Sequence, residues 1–356
     1  MISQLLTSDF RNLEPLDWWP GRGSHLLLGG NGAGKTSLLE AVYVVATTRS
    51  FRAAQIGDCV RHGSDSFRVH AEVDTDHRSS LEVSWSEGKR ERSLNGKISP
   101  LSDHLAALPV VAWTSAEAEV LIGAPKARRR FLDRGIVGAR PAALEVLGRY
   151  REALRQKRQL LLQEGVGIEI WNELLASLAA EVIQLRHEYT EKLKEMLLTV
   201  LEESGLPFPP VELRYRPSPA SGLQGAESIA DSLDAIAERE RRRQMPLLGP
   251  HRDELEILWG GHDIRRVASA GERKSLSLLL LAAHGRTLEG MDRRPVYLLD
   301  DADAELAPPT HASVWKVFQG DEKRQILASS NRPQVWLTLE IGKIWEMEKG
   351  KLSLPS

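Results

Sequence analysis

Apolar and polar positions divide the chain into stretches of different period. Near the start, His25-Leu26-Leu27-Leu28 is a short apolar run that stops at a glycine cluster, which predicts a buried strand. Over residues 37–46 the period lengthens, and Leu38, Leu39, Val42 and Val45 share one face of a helix. Residues 67–73 and 80–85 alternate apolar with polar side chains, the pattern of antiparallel strands in a small flanking sheet, and Asn95-Gly96 is a turn signal. From about 128 to 201 the spacing is helical, through Leu144, Leu147 and Leu154 and then Leu174, Leu178, Val182, Leu185, Tyr189 and Leu193, with Gly165 and Gly167 placed to break it. A loop rich in proline, serine and glycine is expected at 207–225, and strands return at 254–258 and 296–299.

Strand-rich, helical, strand-rich is the order of one α/β domain whose two sequence halves are separated by a helical insertion. The divisions fall at 1–120, 121–245 and 246–356, with two independent domains as the alternative. A length of 356 residues fits either arrangement. The 47 basic residues stand against 49 acidic ones, so any nucleic-acid surface must be a local patch rather than a global field. Cys59 is the single cysteine, which excludes an internal disulfide and a multi-cysteine zinc site and suits a reducing compartment. At the start, Asp9 and Arg11 interrupt the chain before an apolar signal core forms, and the longest apolar run, around 278–283, is too short to span a bilayer. These features predict a cytoplasmic protein with no membrane partner.

The glycine cluster carries the clearest chemistry. Gly29-Gly30-Asn31-Gly32-Ala33-Gly34-Lys35-Thr36 satisfies G-x-x-x-x-G-K-[ST] in full, after the expected strand and before the helix that Ser37 opens. The glycines permit a backbone that turns several N–H groups toward one anion, and the helix adds its positive end. Lys35 is expected to reach the β- and γ-phosphates of ATP, and the Thr36 hydroxyl to bind magnesium. The acidic partner is Val296-Tyr297-Leu298-Leu299-Asp300-Asp301, where Asp300 is placed to hold the metal and Asp301 to polarise the attacking water. A simple nucleotide kinase does not separate these motifs by most of its length. Just before the acidic strand, Ser269-Ala270-Gly271-Glu272 leads into a helix at 275–284. Alone it is an ordinary helix cap; between insertion and acidic strand it resembles the signature motif of ABC-type ATPases.

With these motifs the chain resembles a specific family, the RecF recombination-repair ATPases of the ABC/SMC superfamily. The resemblance runs in order through Asp9-Phe10-Arg11-Asn12, the phosphate loop with Leu39-Glu40-Ala41, Arg49-Ser50-Phe51-Arg52, and Gly123-Ala124-Pro125 with Arg128-Arg129-Arg130-Phe131-Leu132-Asp133. It continues through Gly249-Pro250-His251-Arg252-Asp253-Glu254 to the signature and acidic strand. It implies an ABC-type P-loop ATPase domain, a mixed sheet with flanking helices, carrying an inserted helical lid domain. It also implies an ATP-dependent homodimer in which each ATP lies between one subunit's phosphate loop and the other's Ser269 and Gly271. Such a dimer clamps DNA at single-strand gaps or junctions, works with RecR and RecO to load RecA, and is reset by weak, DNA-stimulated hydrolysis. The chain departs from the family at Ala304-Glu305-Leu306-Ala307, where a Ser-Glu-Leu-Asp-like loop is usual, and at Trp113-Thr114-Ser115-Ala116-Glu117, where Glu117 keeps a carboxylate. The switch segment reads Ala328-Ser329-Ser330-Asn331, in which Ser330 and Asn331 retain groups able to hydrogen-bond a γ-phosphate.

For DNA, the candidate phosphate contacts are Lys126, Arg128, Arg129 and Arg130, with Arg149 and Arg155 in a second cluster at 149–158 and a third at 239–243. No closely spaced aromatic platform accompanies them, so backbone contact rather than base stacking is expected. The nine tryptophans are spread as packing anchors, and His251 is expected to be fixed in a turn by Asp253. The competing readings are an SMC-like DNA-tethering ATPase without a loader role, a transporter ATPase subunit and a small-molecule kinase. An SMC needs long heptad arms, for which the insertion is too short and too broken.

Overall fold

The computed structural model describes residues 1–74, 78–114, 117, 119–163, 167–319, 323–336 and 338–355. Gly165, Ser115 and Ala116 lie outside the described residues. Two compact units emerge: Met1–Ala118, Met196–Pro207 and Ser269–Ser356 form the first, and Glu119–Glu195 with Phe208–Ala268 the second.

The first unit is built on two sheets. One is antiparallel, with spatial order β2 (Leu16–Trp18), β1 (Ile2–Ser8), β4 (Ser66–Asp74), β5 (Arg78–Ser86) and β6 (Lys89–Leu94). Its apolar alternation places Phe67, Val69, Ala71 and Val73 of β4 and Leu81 and Val83 of β5 on the buried face. Asn95 and Gly96 both take positive φ and close the chain between Leu94 and Lys97, as an Asn-Gly turn requires. The other sheet is mixed, in the order β14 (Lys351–Ser353), β13 (Lys343–Glu348), β3 (Gly23–Leu28), β12 (Gln325–Ser330), β11 (Val296–Leu299) and β7 (Val110–Trp113). All its pairs are parallel except β13 with β14. The central strands β11 and β12 are buried along their whole length, as strands covered on both faces must be, whereas β13 alternates and is largely exposed.

Between the sheets runs the helix Lys35–Thr47, packed against β4 and β5 on one side and β7, β11 and β12 on the other. The sequence pattern indicated one apolar face. In fact Leu38, Leu39, Ala41, Val42, Val44, Val45 and Ala46 are all buried, because the helix is enclosed rather than laid on a surface.

The second unit contains the helices Pro125–Ala139 and Ala143–Leu162 and most of Ile168–Ser204, joined through Gly167 at positive φ. Their core includes Leu147, Tyr150, Leu175, Leu178, Val182 and Ile183, capped by Ile229 and Leu233 of Ala226–Ala235. Two expectations fail here. Residues 207–225 are not all loop, since β8 (Val211–Arg216) alternates Val211 and Leu213 inward against polar neighbours. The strand expected at 254–258 is β9 (Glu254–Trp259), but it pairs with β8 and with β10 (His262–Asp263), and not with the mixed sheet. The insertion therefore ends at 268 rather than 245. The local pattern specified a strand, and only the pairing partner decided its sheet.

Asp253 is fully buried, and it accepts hydrogen bonds from Arg186 (2.8 Å), the Ser218 backbone N–H (2.8 Å) and the Tyr215 hydroxyl. His251 is in a turn, Pro250–Arg252, but its ring meets the Tyr150 hydroxyl at 2.8 Å and not Asp253.

In the first unit His25 is buried beside Trp18 and Trp345; its Nδ1 accepts from the Trp345 indole at 3.2 Å and its Nε2 donates to the Gly21 carbonyl at 3.2 Å. Burial lowers its pKa from 6.5 to about 4, so the folded ring stays neutral where the unfolded ring binds a proton. The stability it contributes is complete above pH 6.5 and is lost as pH falls from there toward 4, by roughly tenfold in the folding constant per pH unit. Urea unfolding of His25→Asn between pH 7 and 4.5 should show a shallower loss than the parent, by about one proton's worth of slope.

Candidate active site

The strand-loop-helix from β3 into Lys35–Thr47 forms the phosphate loop. Gly34, at φ +115°, caps the helix in a conformation that other residues rarely adopt, and a Cβ on Gly29 would lie 2.3 Å from the Met347 carbonyl. Lys35 is 5% exposed and its Nζ donates to the carbonyls of Gly29 (2.8 Å) and Gly30 (3.0 Å), which holds the ammonium over the loop. Asn12 donates to the Gly32 carbonyl at 2.8 Å and accepts from the Ser37 hydroxyl at 2.7 Å. The Ser37 hydroxyl is thus committed within the protein, although the residue still lines the pocket.

The acidic strand reaches this loop directly. Thr36 Oγ1 donates to Asp300 Oδ1 at 2.8 Å, and Ser329 Oγ donates to the same oxygen at 2.8 Å. The Ser329 hydroxyl also accepts from the Asp301 backbone N–H at 2.9 Å. Register explains this: Leu299 pairs with Ala328, so the next residues, Asp300 and Ser329, stand side by side as the strands end. Asp301 takes φ +46°, and its Oδ1 is buried with no hydrogen-bond partner among the described residues. Burial first, and then Asp300, push the Asp301 carboxyl above the usual range, against the opposing pull of Lys35. A half-buried carboxylate of raised pKa is a better proton acceptor than a solvated one.

Thr36 and Asp300 offer a hydroxyl and a carboxylate oxygen in contact, and magnesium takes such hard oxygen donors beside phosphate and water. The residues fit the ion. Among the described residues no ready-made group of three or more His, Cys, Asp or Glu is present, so nothing competes as a dedicated metal cage.

A pocket of about 440 Å³ is lined by Asn31, Gly32, Ala33, Gly34, Lys35, Thr36, Ser37 and Asp301. Arg11, Asn12, Arg52, Val60 and His62 complete it, although the glycine-lysine pattern does not point to them. Glu117, Ser269, Gly271 and Ser330 are not part of its wall. Ser330 is fully buried and donates to Asp303 at 2.8 Å, so Ser329, its neighbour along β12, is the serine that meets the acidic pair. Strand alternation could have shown that only one of the two serines faces Asp300. Glu117 is buried, its backbone N–H bonded to the Thr114 carbonyl. Asn331 donates to Asn31 of the phosphate loop at 3.1 Å.

Ser269 caps the helix Ala270–Glu289 with a full capping box, its side chain accepting from the Glu272 N–H while Glu272 accepts from the Ser269 N–H at 2.7 Å. Ser269, Ala270 and Gly271 are exposed. Lys274, in the first turns of that helix, lies 4.8 Å over the Trp113 ring and donates to the Ala304 carbonyl. Arg332 donates to the Asp303 carbonyl at 3.0 Å. The loop that lacks the usual serine and aspartate is therefore held through main-chain oxygens, which a change of side chain leaves in place.

In the second unit the basic candidates separate by burial. Arg128 is 4% exposed; its guanidinium pairs in bidentate fashion with Glu254 (2.6 and 3.0 Å) and donates to the Gly123 carbonyl. It is a structural cation, not a free phosphate contact. Arg129 is half-buried and donates to the Asp253 carbonyl at 2.8 Å. Lys126 and Arg130 are exposed. Arg149 and Arg155 are both exposed, but at about 100° per residue they lie about 120° apart around their helix, and Arg155 pairs with Glu152. Arg151, Arg155 and Arg158 share one flank.

The comparisons with known proteins agree with this geometry. The family described as RecF/RecN/SMC N terminal domain matches residues 1–340. The chain is 28% identical to the DNA replication and repair protein RecF of Geotalea daltonii over 99% of both chains. It is 32% identical to that of Myxococcus xanthus over 85% of this chain and 84% of the relative. Among solved structures it is similar to the recombination mediator protein RecF with ATP in the RecFOR pathway: TM-score 0.88, 25% identity, 100% of this chain and 97% of that one. An Smc head bound to the C-terminal winged-helix domain of ScpA shares the fold alone, with TM-score 0.60 and 16% identity over 99% and 97% of the two chains. The fold is that of ABC/SMC-type ATPases, and the chain belongs to the RecF/RecN/SMC family, as one of its RecF members.

Proposed function

We propose that this chain is a DNA-repair ATPase that works as an ATP-dependent dimeric clamp. It holds DNA at single-strand gaps or junctions, acts with RecR and RecO to promote RecA loading, and is released by slow, DNA-stimulated hydrolysis. The observation that carries the reading is that Ser269 and Gly271 stand exposed at the N-terminus of a 20-residue helix and are absent from the wall of the chain's own phosphate pocket. Orphan N–H groups at that helix start, with its positive dipole end, suit the γ-phosphate of an ATP bound by a second copy. A two-fold dimer would satisfy both sites at once. The names of the similar proteins support the repair role.

In this mechanism the phosphate-loop N–H groups and Lys35 neutralise the β- and γ-phosphates. Thr36 and Asp300 would hold magnesium, which supplies charge stabilisation at the phosphates. Asp301 accepts a hydrogen bond from the attacking water and orients it, while Ser329 fixes the backbone that carries both carboxylates. Among the described residues no helix is long and apolar enough to cross a membrane.

Lys35→Ala removes the cation at the phosphates, and both ATP-dependent dimerisation and ATP-dependent DNA binding should disappear in sedimentation and gel-shift assays. Identical sedimentation of the parent with ADP, ATP and no nucleotide would contradict the clamp.

Asp301→Asn should bind ATP normally yet hydrolyse it about 100-fold more slowly, because an amide is a poor base. The mutant dimer should then persist with ATP and magnesium, whereas Asp300→Asn should lose metal and assembly. Parental turnover by Asp301→Asn would assign the water elsewhere, with Glu117 next to test.

Replacing Lys126 and Arg130 together by alanine should lower the log-log salt slope of DNA binding by about one unit per lost contact, with nucleotide affinity unchanged. Arg128→Ala should instead destabilise the second unit by ~3 kcal/mol in urea unfolding, since Glu254 loses its partner.

A further inference from the structure

Three of the motifs that mark the family, two of which reach the pocket wall through Arg11, Asn12 and Arg52, converge on one carboxylate. Glu40 is fully buried on the helix that begins with Lys35 and Thr36. An unpaired carboxylate there would be costly, and this one is surrounded by donors. Arg11 approaches it in bidentate fashion, Nε to Oε2 at 2.9 Å and Nη2 to Oε1 at 2.8 Å. Ser50 and Cys59 also donate to Oε1, and Arg52 reaches Oε2 at 3.4 Å. Arg11 is held further by the Asp58 carbonyl at 2.6 Å, and its backbone N–H by the Cys59 carbonyl at 2.8 Å.

Both arginines are walls of the pocket that contains the phosphate loop, whereas Glu40 is not. Arg11 donates from all three guanidinium nitrogens, so its plane is fixed. The Arg52 side chain is 46% exposed with one long contact to Glu40, and most of its N–H groups remain available to an anion. A pocket whose cations are already oriented loses less freedom when its ligand binds.

We propose that Glu40 is a positioning residue for the nucleotide, acting through Arg11 and Arg52 to fix their guanidinium groups in the pocket wall. The inference rests on the reading of this pocket as the ATP site and adds what keeps its second wall in register with the phosphate loop. It also gives the three motifs at 9–12, 39–41 and 49–52 a shared physical reason: each supplies one part of the same ion-pair cluster.

The test uses the full chain and a methylanthraniloyl-ATP probe with magnesium. In Glu40→Gln the side chain keeps one acceptor and turns an NH₂ group toward the arginines, so Arg11 loses its bidentate partner. The dissociation constant should rise about tenfold and KM with it, while kcat changes by less than about twofold. Arg52→Gln should weaken binding severalfold, and the losses in the double variant should fall short of additive. Unchanged affinity in a folded Glu40→Gln protein, or fully additive losses, would overturn the proposal. Should Glu40→Gln fail to fold, Arg52→Gln decides alone: unchanged affinity there removes the pocket cation on which the inference depends. Lys35→Ala separates the two readings, since retained probe binding in that variant would overturn the ATP site itself and not only the role of Glu40.

Discussion

The enclosure of the helix Lys35–Thr47 between two sheets is the constraint on which the rest of the first unit depends. A helix buried nearly all round cannot tilt or slide without opening cavities on both sides, so its N-terminus is a fixed point. Lys35 and Thr36 sit at that point, and their placement follows from packing as well as from the glycine-rich loop that precedes them. The same enclosure explains why a carboxylate in the middle of the helix needs several donors, and why two pocket arginines come from segments far apart in sequence.

The second fixed point is the junction of β11 and β12. Parallel pairing in register brings Asp300 beside Ser329, and the Thr36 hydroxyl closes the link to the phosphate loop. One carboxylate oxygen thus ties the ends of β11 and β12 to a phosphate loop that lies 264 residues earlier in the chain. Asp301, immediately next, is left with a buried oxygen that has no partner among the described residues, at a backbone conformation of positive φ. In the proposed mechanism the committed carboxylate would hold the metal and the uncommitted one would orient the water.

Charge is used in the second unit with the opposite emphasis. Arg128 and Arg186 are buried and spent on Glu254, Asp133 and Asp253, and they hold the Gly249–Glu254 segment against the helices. Lys126, Arg130 and the flank with Arg151 and Arg158 remain at the surface. A run such as Arg128-Arg129-Arg130 reads as one basic cluster, yet helical periodicity sends its members in different directions, so a count of basic residues overstates the surface available to DNA.

The sequence by itself determined the phosphate loop, the acidic strand, the signature helix and the order in which they come. Each is set by local chemistry: glycines where the backbone must turn toward an anion, an apolar run where a strand is covered on both faces, a serine where a helix begins. It also determined Asn95-Gly96 as a turn, because few other residues take two successive positive φ values. What it left open was decided by contacts between distant segments. The pairing of β9 with β8 moved the end of the insertion to 268, since a strand's alternation says which face is buried but not which neighbour it joins. Burial of Arg128 against Glu254 withdrew a cation that looks free in the sequence. The choice of Ser329 over Ser330 beside Asp300, and the meeting of Arg11 and Arg52 at Glu40, depend on register and enclosure, and these exist only once the two sheets have closed over the helix.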